Sequence, residues 1–407
     1  MNKTHQSIKA KSTQSLIAGL LRVLSTYKHQ WWLYSTLGLL LLMTSCDRHA
    51  DLSFTSWLKN QNFEFKSSGA SPNATHYFTL QSRPLKIDTI FRSMQGPYDI
   101  TEFDFHEKKE ELIWLTGYTS KIINKKSSSL ISDGYMCHNN LNISRAKTFP
   151  WQVKTQGTSI RLFTLTEGQV SVKLPDGFAI PIPAAQAMTV VSQVLNHNAA
   201  DIDLLVSHDV ALAYQLQSEL DHIPIPLYQQ AAFITKQVSG PEGWFGMPRL
   251  CNDHYLDSTK LKGDQPNHEC KISYGESDYN PYFDSFGRTY SGHWKLPLKE
   301  QVLTTDVTKM LDLQFDTRIH YIGVHVHPFA RSLELRDATL DTSLYIAHVE
   351  NHDDKIGIKR IDSYSSEAGI PVYKKHTYEL ISTYECTDTS DIHTAMATMF
   401  LYLHDKK

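Results

Sequence analysis

Two histidines separated by one residue, and a methionine further along the chain, form the pattern with the clearest chemical meaning in this sequence. His325 and His327 lie in the segment 323–329, and Met396 lies in the segment 394–400. Because side chains alternate across a β-strand, residues i and i+2 of one strand point to the same face. Two imidazoles suit zinc, iron, nickel or copper, and a soft thioether shifts the preference towards copper, especially Cu(I). The pattern therefore predicts a copper site formed by His325, His327 and Met396.

The segments that must position these side chains have the character of β-strands. Apolar and polar residues alternate over 321–336, and 395–404 is a second strand candidate. Most other segments are short, β-branched and bounded by turn signals. Helical periodicity is restricted to 210–220 and 307–313. Many short strands with few helices predict an all-β fold of two antiparallel, jelly-roll-like β-sandwich domains packed side by side.

The N-terminal segment, residues 1–45, has the composition of an export signal. It contains five basic residues and no acidic one, and an apolar run over 31–45 leads to Cys46. A charged region, an apolar region and small residues follow one another in secretory signals. The tail 42–46, Leu-Met-Thr-Ser-Cys, resembles a bacterial lipobox. The resemblance implies cleavage before Cys46, a lipid on its thiol and a protein anchored in the bacterial cell envelope, facing the periplasm or the exterior. The alternative is an uncleaved anchor helix, although the run is short for the ~20 residues of a span.

The charge of the mature chain excludes one class of function. Without residues 1–45, 40 − 5 = 35 basic residues face 43 acidic ones, so the net charge is 35 − 43 = −8. Such an acidic chain lacks the basic surface that binds nucleic acid. About 360 residues remain, enough for two domains with their own cores. We expect these domains at 46–225 and 226–407, because proline- and glycine-rich segments break regular structure between 218 and 246.

Five cysteines are present, at positions 46, 137, 251, 270 and 386. An oxidising compartment permits disulfides. Cys251 and Cys270 bracket a polar, turn-rich segment, and a bridge between them would close a loop worth ~3 kcal/mol in the entropy model. We therefore predict a disulfide between these two, whereas either Cys137 or Cys386 can be a free thiol.

The histidine and methionine motifs resemble those of a known enzyme family. The region from about His293 to Leu403 resembles the C-terminal domain of the type II, ascorbate-dependent copper monooxygenases, which include the peptidylglycine α-hydroxylating and dopamine β-monooxygenases. In that family a His-x-His pair and a downstream methionine hold the oxygen-binding copper. The resemblance implies that His325, His327 and Met396 are metal ligands and catalytic residues. Met399 is the competing methionine, but on a strand it should face the opposite way.

A second motif, Cys137-His138 with His197 downstream, resembles the N-terminal copper site of the same family. There a His-His pair and a later strand histidine hold the copper that stores and delivers electrons. Cys137 replaces the first histidine of the pair, and His197 matches the later one. The resemblance implies a second copper at His138 and His197, hence up to two ions per chain. Cys137 remains open as a thiolate ligand, a disulfide partner or a residue outside the metal shell.

The resemblance implies a monooxygenase that hydroxylates an activated C–H bond of a small molecule with O2 and ascorbate or another external reductant. The positions that bind the substrate carboxylate in peptide-amidating members hold Gly323, Thr398 and Phe400 here. Because charge-assisted hydrogen bonds are then missing, we expect a non-peptide, more apolar substrate. The alternative is a copper-binding lipoprotein without turnover, for trafficking or storage. A cupin-like metalloenzyme ranks last, because Glu334 follows too far downstream and Met396 would have no role.

Overall fold

The computed structural model describes residues 73–105, 111–143, 161–238, 281–282, 284, 286 and 288–404, which belong to one compact unit. Cys46, Cys251 and Cys270 lie outside these residues, and with them the predicted lipid anchor and the predicted disulfide. Among the helices of the described residues, none has the length and apolar character to cross a membrane.

Nearly all of the regular structure is β-strand, which confirms the all-β prediction. The strands are β1 (His76–Gln81), β2 (Leu85–Ile87), β3 (Tyr98–Phe103), β4 (Leu112–Asn124), β5 (Leu130–Ile131), β6 (Met136–Ile143), β7 (Arg161–Leu165), β8 (Ser171–Lys173), β9 (Phe178–Pro183), β10 (Met188–Val194), β11 (Leu204–Leu216), β12 (Ile225–Phe233), β13 (Lys236–Val238), β14 (Thr289–Ser291), β15 (Trp294–Lys295), β16 (Lys299–Asp306), β17 (Thr317–Val326), β18 (Ala330–Asp337), β19 (Thr342–Asn351), β20 (Ile358–Ile361), β21 (Tyr364–Val372), β22 (Tyr378–Cys386), β23 (Thr394–Ala395) and β24 (Ala397–His404). The described helices are α1 (Thr308–Leu311) and the 3-10 turns Asp133–Tyr135 and Gln217–Glu219.

The strands form antiparallel sheets in a sandwich-like arrangement. An 11-stranded sheet contains the path β1-β11-β4-β9-β12-β24-β17-β21, and smaller sheets have the orders β3-β10-β6-β7 and β16-β22-β18-β19-β20. The long sheet includes strands from both halves of the chain. It passes from one half to the other through the parallel pair β9–β12 and the antiparallel pair β12–β24.

Two hydrophobic cores lie along this long sheet. One is built mainly from residues 85–231 and the other from residues 228–403. Tyr402, from the last strand, belongs to the first core: its ring stacks on Phe163 at 5.6 Å, and its hydroxyl donates to the Leu162 carbonyl at 2.8 Å. The predicted division at 225/226 coincides with the start of β12, and it stays a prediction.

One local assignment from the sequence is wrong. Residues 210–220 were expected to be helical, but 204–216 form strand β11, and a 3-10 turn follows. Strand β11 lies between β1 and β4 in the long sheet and is buried over most of its length. A strand buried on both faces has a nearly continuous apolar sequence, so the alternation that identifies a strand is lost. The other helical prediction is confirmed by α1.

Candidate metal centre

The strand pair β17–β24 brings the first predicted ligand set together. His325 pairs with Thr398, and the ladder ends one step later, at the residues next to His327 and Met396. Continued by one step, that register would place Met396 opposite His327, but both residues lie just outside the two strands. Directly opposed residues of an antiparallel pair project from the same face, and His325 and His327 share a face by alternation. The backbones of the predicted ligands therefore lie side by side at the end of one strand pair.

The competing methionine lies on the other face. Met399 pairs with Val324, is fully buried and belongs to the C-terminal hydrophobic core. Met396 is only partly buried and precedes the first residue of β24. The expectation that Met399 faces away from the histidines is confirmed.

The imidazole of His327 is held in the form that binds a metal. His327 is 2 % exposed, and its Nδ1 lies 3.0 Å from the Thr394 carbonyl oxygen. A carbonyl only accepts, so Nδ1 carries the proton and Nε2 carries a lone pair. Nε2 is buried and has no hydrogen-bond partner among the described residues. A neutral imidazole oriented through its other nitrogen is the usual metal-ligating arrangement.

Burial keeps both histidines of the pair neutral. It lowers the pKa of His325 to about 3, and the positive charge of Arg161 and the nearby His293 act in the same direction. The pKa of His327 is also held well below its ordinary range, first by burial and then by His293 and His325. The Nδ1 of His325 is buried without a hydrogen-bond partner in the described part of the chain. Neutral imidazole nitrogens such as these fit zinc, copper, iron or nickel.

A third imidazole, that of His293, lies beside the pair, and sequence reasoning did not identify it. The ring centroids of His293 and His327 are 4.9 Å apart at 88°, and those of His325 and His327 are 5.6 Å apart. The Nε2 of His293 is 3.2 Å from the hydroxyl of Thr394. No motif around His293 signals this position, because β15 reaches the site only by pairing with β23. Within the described residues, no three His, Cys, Asp or Glu side chains form a metal-binding group by themselves.

The two histidines of the N-terminal motif each interact electrostatically with one histidine of the C-terminal pair. Burial holds the pKa of His138, on β6, well below its ordinary range, and Arg161 and His325 contribute. Burial also lowers the pKa of His197 to about 4, and His197 in turn lowers the pKa of His327. The Nε2 of His197 is buried without a hydrogen-bond partner among the described residues. Burial thus keeps both imidazoles neutral.

Cys137 occupies a different environment. It is buried in a small apolar cluster with Met94 and Leu195, and its sulfur accepts a hydrogen bond from the Met94 backbone N–H at 3.3 Å. Burial raises the pKa of its thiol to about 12, and it forms no disulfide in the structure. Because the thiolate is the form that binds metals, these surroundings favour a structural thiol over a ligand.

A cavity of about 260 Å³ adjoins the candidate centre. Its lining includes His197 from one half of the chain and Thr394 from the other. Arg92 and Asp391, also in the lining, form a bidentate ion pair with distances of 2.9 and 2.5 Å. His393 bonds to the Asp388 carboxylate at 2.7 Å. Apolar side chains form much of the remaining wall: Ile90, Pro328, Phe329, Ile356 and Ile392.

Comparisons with known proteins do not assign the chain to a family. No family model matches it, and no curated protein matches it. Among solved structures, a peptide-N(4)-(N-acetyl-β-D-glucosaminyl) asparagine amidase has a TM-score of 0.31 and 10 % identity, covering 82 % of this chain and 97 % of that chain. PNGase F, a glycosylasparaginase from Flavobacterium meningosepticum, has a TM-score of 0.32, 10 % identity and the same coverage. The STIV MCP has a TM-score of 0.28 and 8 % identity, over 82 % and 97 % of the two chains. Likeness this low supports no statement about activity.

Proposed function

We propose that the protein is a copper-dependent monooxygenase that hydroxylates an activated C–H bond of a small molecule with O2 and ascorbate or another external reductant. One observation carries the proposal: the segments that contain His325, His327 and Met396 adjoin at the end of one strand pair, and the buried Nε2 of His327 has no hydrogen-bond partner among the described residues. Copper bound there would supply the activation of O2 that side chains alone do not provide.

The chain's own residues would prepare the site for this chemistry. Burial keeps the imidazoles of His325 and His327 neutral, so no proton competes strongly for their lone pairs. The Thr394 carbonyl fixes the tautomer and orientation of His327. The thioether of Met396 would stabilise the reduced ion, because soft sulfur prefers Cu(I). His138 and His197 would hold a second, electron-supplying copper.

The cavity beside the site favours an uncharged, largely apolar substrate. Its ionisable side chains already have partners, as Arg92 with Asp391 and His393 with Asp388. A charged substrate would have to break these pairs to find a partner. The volume of about 260 Å³ is below the ~300–1,000 Å³ typical of ligand pockets, which suits a small molecule rather than a peptide.

Copper binding by the Met396→Ile variant tests the proposal. We expect Cu(I) affinity to fall strongly and Cu(II) affinity only mildly, because a thioether bonds mainly to the reduced ion. X-ray absorption of the reduced protein should show a copper–sulfur scatterer that is lost in Met396→Ile. The matched control is Met399→Ile, which changes a methionine on the opposite face and should keep the scatterer. A signal that persists in Met396→Ile but disappears in Cys137→Ser would overturn the assignment.

A second candidate is a copper-binding lipoprotein without turnover. The neutral, buried thiol of Cys137 favours it, because the N-terminal motif is then left with two histidines. Oxygen-dependent product formation with a reductant separates the two functions. One copper per chain and no product would support the second candidate.

The lipid anchor common to both candidates is tested separately. Cys46→Ala should release the protein from the membrane or leave the precursor uncleaved. Mass spectrometry of the wild-type protein should find a lipidated Cys46 at the N-terminus. An unmodified N-terminus at another position would exclude the anchor.

A further inference from the structure

The strand pair that carries the candidate ligands is interrupted at the step where His327 would pair with Met396. The regular β17–β24 pairs end at Val326–Ala397. At the next step the hydroxyl of Tyr384 lies between the two backbones. It accepts a hydrogen bond from the His327 N–H at 3.2 Å and donates one to the Met396 carbonyl at 2.6 Å. A single hydroxyl thus connects the backbones of two predicted ligands.

This relay separates the two strands more than a regular ladder does. A direct N–H···O=C bond spans about 2.9 Å, whereas here an additional oxygen stands between the His327 nitrogen and the Met396 oxygen. In an unbroken ladder, directly opposed Cβ atoms lie about 4.5–5.5 Å apart. The inserted hydroxyl therefore sets a separation between the His327 and Met396 backbones that differs from that of a regular pair.

Tyr384 is well placed to maintain this spacing, because its side chain is fixed. It lies in β22, is fully buried, and its ring packs edge-on against Trp294 with centroids 6.0 Å apart. The indole of Trp294 donates to Gln301 at 2.8 Å, and Trp294 itself pairs with Ala395, next to Met396. Burial raises the pKa of the Tyr384 phenol well above its ordinary value, so the hydroxyl keeps the proton that it donates.

We propose that Tyr384 is a positioning residue of the copper site, whose hydroxyl holds His327 and Met396 at the separation that lets both bind one ion. The inference rests on the copper site proposed above. Without the hydroxyl, the His327 N–H and the Met396 carbonyl either bond to each other directly or lose their partner. Either change moves the thioether relative to the imidazole.

The test is the Tyr384→Phe variant, which keeps the ring and removes the hydroxyl. We expect the copper–sulfur scatterer of the reduced protein to disappear, and Cu(I) affinity to fall by the ~10–100-fold typical of lost outer-shell support. Cu(II) affinity, which depends mainly on the imidazoles, should change much less. A merely structural role would lower thermal stability without changing the ratio of Cu(I) to Cu(II) affinity.

Tyr378→Phe is the matched control. Tyr378 lies in the same strand and is also buried. Its hydroxyl accepts a hydrogen bond from the Tyr373 backbone N–H at 2.6 Å and donates one to the Tyr373 carbonyl at 3.1 Å. These bonds involve neither predicted ligand segment. Tyr378→Phe should therefore lose comparable hydrogen bonds and keep the copper–sulfur scatterer.

The outcomes separate this inference from the proposed function. If the wild-type protein shows no copper–sulfur scatterer, the proposed site itself fails. If wild type, Tyr378→Phe and Tyr384→Phe all show it with equal Cu(I) affinity, only the role of Tyr384 is overturned. Circular dichroism verifies that each variant is folded before copper is added. Replacement of Tyr384 by p-aminophenylalanine, which again offers a donor to the Met396 carbonyl, should recover the scatterer, and failure to recover it would contradict the proposal.

Discussion

The C-terminal and N-terminal motifs contain similar residues, but the fold positions them in different ways. His325 and His327 are two residues apart at the end of one strand, and Met396 immediately precedes the neighbouring strand. Cys137 and His138 are adjacent on β6, so regular alternation sends them to opposite faces. Spacing along one strand is therefore enough to bring the two histidines of the first set together, whereas the second set needs further structure.

The register of β6 illustrates this difference. His138 pairs with Gln193, and the ladder then shifts before Val194 pairs with Met136. This irregularity lies at Cys137, whose sulfur is directed to Met94 and Leu195. His197 follows in a bend after β10. The comparison teaches that two ligands on one strand are specified by local sequence, while a set across a bulge and a bend is specified by packing.

The largest effect on copper affinity is expected from replacing one histidine of each motif and comparing the two variants. His327→Ala should weaken both Cu(I) and Cu(II) binding by more than the ~10–100-fold of a lost outer-shell partner, because an imidazole ligand itself is removed. His138→Ala should affect only a second, weaker ion. Competition titrations with Cu(I) and Cu(II) chelators measure both. If His138→Ala abolishes all copper binding and His327→Ala does not, the order of the two sites is reversed.

Acid should destabilise the metal-free protein. His208, a buried histidine outside both motifs, allows this expectation to be tested. Burial lowers the pKa of His208 to about 3, whereas the unfolded value is about 6.5. The unfolded chain then binds more protons, so the free energy of unfolding should fall as the pH drops from about 6.5 towards 3. Urea unfolding across this range measures it. His208→Asn should reduce the pH dependence, and a slope equal to that of the wild-type protein would contradict the prediction.

A smaller effect is expected at Cys137. Cys137→Ser places a hydroxyl in an apolar cluster, which should cost ~1–3 kcal/mol of unfolding free energy and leave the copper content unchanged. Denaturant midpoints and metal analysis check both expectations. Cys386→Ser, at the other buried free cysteine, is the control. Loss of one copper per chain in Cys137→Ser alone would identify Cys137 as a thiolate ligand.

The smallest expected effect on stability concerns the contact between the bend that contains His197 and the C-terminal half of the chain. Asn198, next to His197, exchanges two hydrogen bonds with the Ile356 backbone, at 2.8 and 2.9 Å. Asn198→Ala should lower the free energy of unfolding by about 0.5–1.5 kcal/mol, because these bonds are exposed to water. Copper at His325 and His327 should be retained. A loss of that copper would mean that the first site depends on the His197 bend.

Some of this protein follows from local sequence alone. The alternation around His325 and His327 determined that both share a strand face, and it also predicted that Met399 points away. The all-β class and helix α1 were equally accessible, because side-chain periodicity is a property of a few consecutive residues. The strand β11 was missed because the prediction relied on this periodicity. When both faces of a strand are buried, its sequence is apolar throughout, and the local pattern no longer distinguishes the period of a strand from that of a helix.

Other features were decided only by the tertiary structure. Tyr384, His293 and Thr394 reach the site from three different strands or strand ends, and nothing in their local sequences signals it. The side chain of Cys137 lies in an apolar cluster because the register between β6 and β10 shifts at this residue. Alternation constrains neighbouring residues within one strand, so it can be recognised directly in the sequence. Register and strand order are set by the burial of residues far apart in the chain, so they become known only from the folded structure.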